Sequence, residues 1–266
     1  MFVTRVALDK LKAMRPRRRL AFQEEFEQVP LPIWQELLVG VEMAFLRISP
    51  VYWGHGITRG DGSAVVVVPG FLGTDFYLGE FRGWLRRIGY ETYDSGIGLN
   101  AECPNLLIRQ RLEQTIQQAW ESTGRKVHLI GHSLGGTIAR STASQKPDRI
   151  ASVITLGAPL QGIVAHASIL HTAEVVRKQI LERHGKKVLP DCYTGACTCS
   201  FLESLRGKFP KSVRQTAIYT KADGILDWRS CQTGDESVDF EVSATHIGLV
   251  FSPLVYSVVA RRLAGQ

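Results

Sequence analysis

The segment that most restricts the fold is Val127-His128-Leu129-Ile130-Gly131-His132-Ser133-Leu134-Gly135-Gly136. An apolar strand pattern runs into Gly-x-Ser-x-Gly, and a helix pattern, Gly135 to Gln145, follows at once. A strand that turns into a helix over so few residues holds the serine on a strained turn. Glycines two positions before and two after are needed there because larger residues would collide across the turn. The hydroxyl of Ser133 is expected above a sheet edge, at a helix N-terminus. Gly-x-Ser-x-Gly alone matches by chance often; the strand before it and the helix after it give it weight.

The surrounding rhythm agrees. Ala64 to Val68 is a fully apolar run of strand length, ended by Pro69-Gly70. A helix is expected from about Asp75 to Ile88, a short strand at Glu91 to Tyr93, and a long amphipathic helix over Pro104 to Ser122. Strands follow at Lys126 to Ile130 and Ser152 to Leu156, later at Gln215 to Tyr219 and Val238 to Val242, with a last helix over Leu254 to Leu263. Such alternation predicts an α/β domain: a mostly parallel central sheet with helices on both faces. The alternation breaks between about 160 and 211, where an amphipathic helix (Ala167 to His184) is expected. Residues 1–60 read as a basic arm and a helical segment packing on the domain that spans 61–266. In that segment Trp34, Leu37, Leu38, Val41 and Phe45 recur at helical spacing, which predicts a core-facing stripe.

A serine hydroxyl is a weak nucleophile at neutral pH and needs a base, itself oriented by an acid. After this kind of turn the acid and then the histidine should follow, on loops after later strands. Of seven histidines, His246 lies between the last strand and the last helix, in Val242-Ser243-Ala244-Thr245-His246-Ile247-Gly248. The acid should follow the strand holding Ala217-Ile218-Tyr219. Asp223 sits at the strand-end turn and is preferred over Asp227, which reads as a loop-capping carboxylate. An oxyanion hole needs backbone N–H groups; Leu134, after the serine, and Phe71, in Pro69-Gly70-Phe71-Leu72-Gly73, are the candidates.

These four ordered matches resemble the α/β-hydrolase superfamily, and within it bacterial lipases and esterases of the triacylglycerol-lipase kind, over roughly residues 60 to 266. The resemblance implies a Ser133–His246–Asp223 triad, an acyl-enzyme intermediate, a small-molecule or lipid ester as substrate and no organic cofactor; no metal is expected. It places the inserted segment at the position of a lid, either a moving one or a helix packed over the core, with Ile169, Leu170, Val175, Val176, Ile180 and Leu181 as its apolar members. Many lipases have His-Gly where this chain has Pro69-Gly70. The same triad would serve an acyltransferase or thioesterase. A non-catalytic lipid-binding protein is a further alternative, disfavoured because binding has no need of an ordered triad.

The net charge of +7 resembles a nucleic-acid signal until it is located. Arg5, Lys10, Lys12, Arg15, Arg17, Arg18 and Arg19 against Asp9 put +6 of it in residues 1–20. The body is close to neutral, and no aromatic residues interleave the basic cluster, so nucleic acid is not the expected partner. A solvated tail is the simplest reading of the arm, and contact with anionic lipid headgroups the sharper one. The acidic stretch after the arginines does not fit a secretion signal, and no apolar run approaches the roughly 18 residues of a spanning helix. A cytoplasmic or peripheral location is therefore expected. Of the five cysteines, Cys192, Cys197 and Cys199, with Cys231 and Cys103, are read first as lid-stabilising disulfides, then as free thiols, and least as a metal site.

Overall fold

A computed structural model describes residues 27–185 and 198–266. The basic arm and, within the insertion, Cys192 and Cys197 lie outside the described residues. Strand β1 (Glu27–Gln28) is followed by a 3-10 turn (Ile33–Leu38) and helix α1 (Val39–Ile48). Then come β2 (Ala64–Val68), α2 (Gly79–Arg87) and β3 (Glu91–Asp94). The long helix contains a π turn: α3 (Pro104–Leu107), the turn Ile108–Leu112 and α4 (Glu113–Thr123). Next are β4 (Val127–His132), α5 (Leu134–Gln145) and β5 (Ile150–Leu156). The interruption holds β6 (Val164–Ala165), α6 (Ala167–His184) and α7 (Ser200–Arg206). The chain ends with β7 (Arg214–Tyr219), β8 (Asp239–Glu241) and α8 (Pro253–Leu263).

Six strands form one parallel sheet in the order β3-β2-β4-β5-β7-β8, while β1 and β6 pair separately. The unbroken valine run of β2 now has its reason. Successive side chains of a strand point to opposite faces. Ala64, Val66 and Val68 join the core beneath α3, α4, α5, α6 and α7, whereas Val65 and Val67 join the core under α2 and α8. A strand buried on both faces has no place for alternating polar residues. On the second face Phe81, Trp84 and Tyr256 interlock, with ring centroids 4.3–5.7 Å apart.

The topology places the site. The chain enters at β2, runs outward to β3, then crosses back to β4 and continues the other way. At such a reversal the loops after the two central strands diverge and leave a crevice at their carboxyl ends, where α/β sheets bind ligands. The loops concerned are Pro69–Thr74 after β2 and the Ser133 turn after β4.

One expectation is overturned. Trp34, Leu37, Leu38, Val41 and Phe45 do not pack into the core; Leu37 is 84% exposed and Phe45 61%. The segment carrying them presents its other face to the body, because Glu36 and Glu42 reach inward to the loops after β7 and β8. Within the insertion, Val176 and Ile180 are buried while Val175 and Leu181 are exposed, so α6 packs on the core with one side. Among the described residues no helix is long and apolar enough to cross a membrane.

Candidate active site

At the end of β4 the turn is as sharp as its glycines imply. Ser133 has φ 53° and ψ −130°, one of two non-glycine residues with positive φ among those described. A Cβ on Gly131 would stand 2.3 Å from the Gly135 carbonyl oxygen, and one on Gly135 would stand 2.3 Å from that of Pro69. Neither position tolerates a side chain. The turn is held by Ser133 N–H donating to the Leu156 carbonyl at 2.8 Å and by Gly136 N–H donating to the Ser133 carbonyl at 2.8 Å. Leu134 is the first residue of α5, where backbone N–H groups lack intrahelical acceptors and carry the positive end of the helix dipole.

His246 and Asp223 come together from the loops after β8 and β7. His246 Nδ1 lies 2.6 Å from Asp223 Oδ2. The other carboxylate oxygen, Oδ1, accepts from Ile225 N–H at 2.9 Å and Leu226 N–H at 2.7 Å, which fixes the acid's orientation. Both side chains are almost fully buried. Burial opposes charging the imidazole, but the Asp223 carboxylate, by charge and hydrogen bond, and the Glu36 charge outweigh it; His246 titrates above its ordinary value. Asp227 instead caps a 3-10 turn, accepting from Arg229 N–H at 2.9 Å, as its sequence position suggests.

Ser133, His246, Phe71 and Leu134 all face one cavity of about 350 Å³. Its remaining walls are mostly apolar, with Ile163, Ile169, Leu170 and Ala173 contributed by the inserted segment. Phe71 sits in a loop tied down on both sides. Leu72 N–H donates to the Asn100 carbonyl, Asn100 N–H to that of Gly73, and Asn100 Nδ2 to that of Pro69.

Sequence reasoning missed a second polar chain behind the serine. Gly70 N–H donates to Tyr77 Oη at 2.8 Å, and Tyr77 Oη lies 2.9 Å from His132 Nδ1. His132 Nε2 lies 3.0 Å from the His246 carbonyl oxygen, which can only accept, so the ring carries its proton on Nε2. Nδ1 is then the acceptor, and the Tyr77 phenol donates to it. Burial, with the neighbouring His246 charge, lowers the His132 pKa to about 3, so it stays neutral. This chain links the loop after β2, the serine turn and the histidine loop.

Comparison with known proteins fits this architecture. A family profile described as the alpha/beta hydrolase fold matches residues 121–191, which include the serine turn. The chain has the α/β-hydrolase fold. It resembles bacterial lipases and esterases. Over 107 residues it is 34% identical to a triacylglycerol lipase of Pseudarthrobacter phenanthrenivorans, covering 37% of this chain and 33% of that protein. The match to a triacylglycerol lipase of Burkholderia plantarii is again 34% identical, covering 37% of this chain and 30% of the relative. The chain thus spans about a third of the length of the curated relatives it matches. The crystal structure of a mature Bacillus licheniformis lipase superposes with a TM-score of 0.53 at 17% identity, over 81% of this chain and 99% of that chain.

Among the described residues, no group of three or more His, Cys, Asp or Glu side chains is arranged to hold a metal. Cys231 is a buried free thiol, and burial pushes its pKa well up.

Proposed function

We propose that the chain is a serine ester hydrolase of the lipase or carboxylesterase type, cleaving esters with an apolar acyl group through an acyl-enzyme intermediate. The observation that carries this is the serine on its strained turn, sharing one apolar cavity with a buried histidine whose far nitrogen is 2.6 Å from a carboxylate. Ser133 Oγ attacks the ester carbonyl carbon as His246 Nε2 takes its proton. The carbonyl oxygen becomes an oxyanion, stabilised by the N–H groups of Phe71 and Leu134. The tetrahedral species collapses, the C–O bond to the alcohol breaks, and His246 returns the proton to the leaving oxygen. Water then attacks the acyl-serine by the same route and releases the acid. Asp223 holds the imidazole tautomer and supports the imidazolium as it forms.

The apolar cavity suits an acyl chain, and the apolar side chains of α6 form part of its wall. Because His246 must be neutral to accept the proton, kcat/KM should rise through a pKa above 6.5. The test is intact-mass labelling with a fluorophosphonate, followed by a p-nitrophenyl ester series of increasing acyl length. One adduct on Ser133, and loss of both adduct and turnover in folded Ser133→Ala, is the expected result. A folded Ser133→Ala protein with near-native esterase activity would sink the proposal. Faster alcoholysis than hydrolysis of one activated ester would move the assignment to an acyltransferase.

A further inference from the structure

The two loops that carry the acid and the histidine are held by a carboxylate from far upstream. Glu36, 7% exposed, lies in the 3-10 turn before α1. Its Oε1 accepts from Gly224 N–H at 3.0 Å and from His246 N–H at 3.0 Å. Its Oε2 accepts from Ile247 N–H at 2.8 Å. One side chain therefore bonds the residue after Asp223, the histidine itself and the residue after it. Six positions on, Glu42 repeats the device: Oε1 accepts from Thr245 N–H at 2.7 Å, and Oε2 accepts from Thr245 Oγ1 at 2.7 Å. Thr245 Oγ1 in turn accepts from Gly248 N–H at 3.0 Å.

The glycines of both loops fit this arrangement and nothing else about their backbone calls for glycine. Neither Gly224 nor Gly248 has a positive φ. A Cβ on Gly224 would lie 2.8 Å from the Pro32 carbonyl oxygen and 3.0 Å from Glu36 Oε1. A Cβ on Gly248 would lie 1.9 Å from Glu42 Oε2. The Asp223 loop is bare where Pro32, Ile33 and Glu36 approach it, and the His246 loop is bare where Glu42 does.

We infer that Glu36, with Glu42 beside it, is a positioning residue of the active site: its carboxylate ties the Asp223 loop to the His246 loop and fixes where the imidazole stands. The inference rests on the hydrolase reading for its catalytic consequence, though the tie itself does not. Charge-assisted bonds to backbone N–H groups are short and directional, and a carboxylate can serve several at once. Ring placement is what they control here, since His246 N–H is one of the three donors. The groups that face His246 are Asp223 at Nδ1, His132 with its ring centroid 4.8 Å away, Ser133 across the cavity, and Glu36 at the backbone. Of these, Glu36 and Asp223 favour the imidazolium.

The experiment compares the full chain with Glu36→Gln, which keeps the shape, removes the charge and turns one acceptor into a donor facing an N–H. Fluorophosphonate labelling of Ser133 is expected to slow about tenfold or more, as displacement of a catalytic group by a fraction of an ångström does. KM for a p-nitrophenyl ester should change less than about twofold, a split that separates positioning from binding. Histidine NMR should show the His246 titration moved to lower pH, and hydrogen exchange should show the Gly224, His246 and Ile247 amides losing protection. Wild-type protection of the Gly224, His246 and Ile247 amides in folded Glu36→Gln overturns the proposal whatever the rate. If that variant does not fold, wild type still decides: the three amides must exchange slowly and together, and free exchange of His246 and Ile247 overturns the tie. A wild-type protein that takes no label defeats the hydrolase reading alone, because the titration and the exchange remain readable.

Discussion

Tyr77→Phe removes one oxygen and strands two buried groups. In the native protein the phenol accepts from Gly70 N–H and donates to His132 Nδ1, at 2.8 and 2.9 Å. Both partners are buried, and burial holds the phenol protonated at all working pH values. A buried polar group left without a partner costs about 1–3 kcal/mol, so two cost about 2–6 kcal/mol. For a chain of this length each kcal/mol lowers Tm by about 2–4 °C, which predicts a fall of at least about 4 °C and at most about 24 °C. Stability should be measured by urea titration, where an unchanged slope shows that the midpoint shift is a change in stability. Activity should fall as well. Gly70 precedes Phe71, and the freed loop no longer presents the Phe71 N–H in a fixed place; labelling of Ser133 should slow by about tenfold. The His132 Nδ1 resonance should shift, since the donor that defines its tautomer is gone. A Tyr77→Phe protein within about 0.5 kcal/mol of wild type, labelling at the wild-type rate, would refute the reasoning.

Acid should destabilise the fold through its buried histidines. His132 and His128 have pKa values lowered to about 3 and about 4, burial being the main cause for each. The unfolded chain takes up those protons near pH 6.5 and the folded one does not. Stability is therefore complete above that pH and falls as pH drops, by about 3 kcal/mol per histidine at pH 4. Urea midpoints from pH 7 to 4 should show this, His128→Asn should remove about half of it, and a flat profile contradicts it. Gly248→Ala should displace the Glu42 carboxylate, whose Oε2 would lie 1.9 Å from the new Cβ. It should cost about 1–3 kcal/mol and slow labelling, measured by the same titration and mass assay. Leu37→Gln, at a position 84% exposed, should change stability by less than about 0.5 kcal/mol, whereas Glu36→Ala next to it should cost several times more.

The sheet could be read from the sequence because its signals are local. The Ala64–Val68 run, the glycines around Ser133 and the strand–loop–helix setting of His246 each lie within about ten residues. Chain order then supplies the pairing, since parallel α/β units leave few topologies. What escaped was tertiary and polar. Tyr77 and His132 are 55 residues apart, and neither stands in a pattern that marks a partner. His132 precedes the serine, outside the chain order in which a base is expected. Glu36 and its donor His246 are 210 residues apart. The short pairing of β1 with β6 leaves two residues on each side, too few for any periodicity. Only the glycines carried a trace of the tie: Gly224 and Gly248 sit in loops whose φ values make no demand for them.

The outward apolar stripe of the segment from Ile33 to Ile48 follows from the same balance. Turned the other way, Trp34, Leu37, Leu38, Val41 and Phe45 would each gain about 1.5–3 kcal/mol from burial. The orientation adopted forgoes that and brings two carboxylates to the loops, where they accept from four backbone N–H groups and one hydroxyl. Hydrogen bonds to charged acceptors are worth about 1.5–3 kcal/mol each, the same range as the burial forgone. Five such bonds therefore offset five partly buried apolar side chains. A periodicity of apolar residues reports only that a helix has two faces. Which face turns inward depends on what the other side offers, and here it offers loops with more N–H groups than they can satisfy themselves.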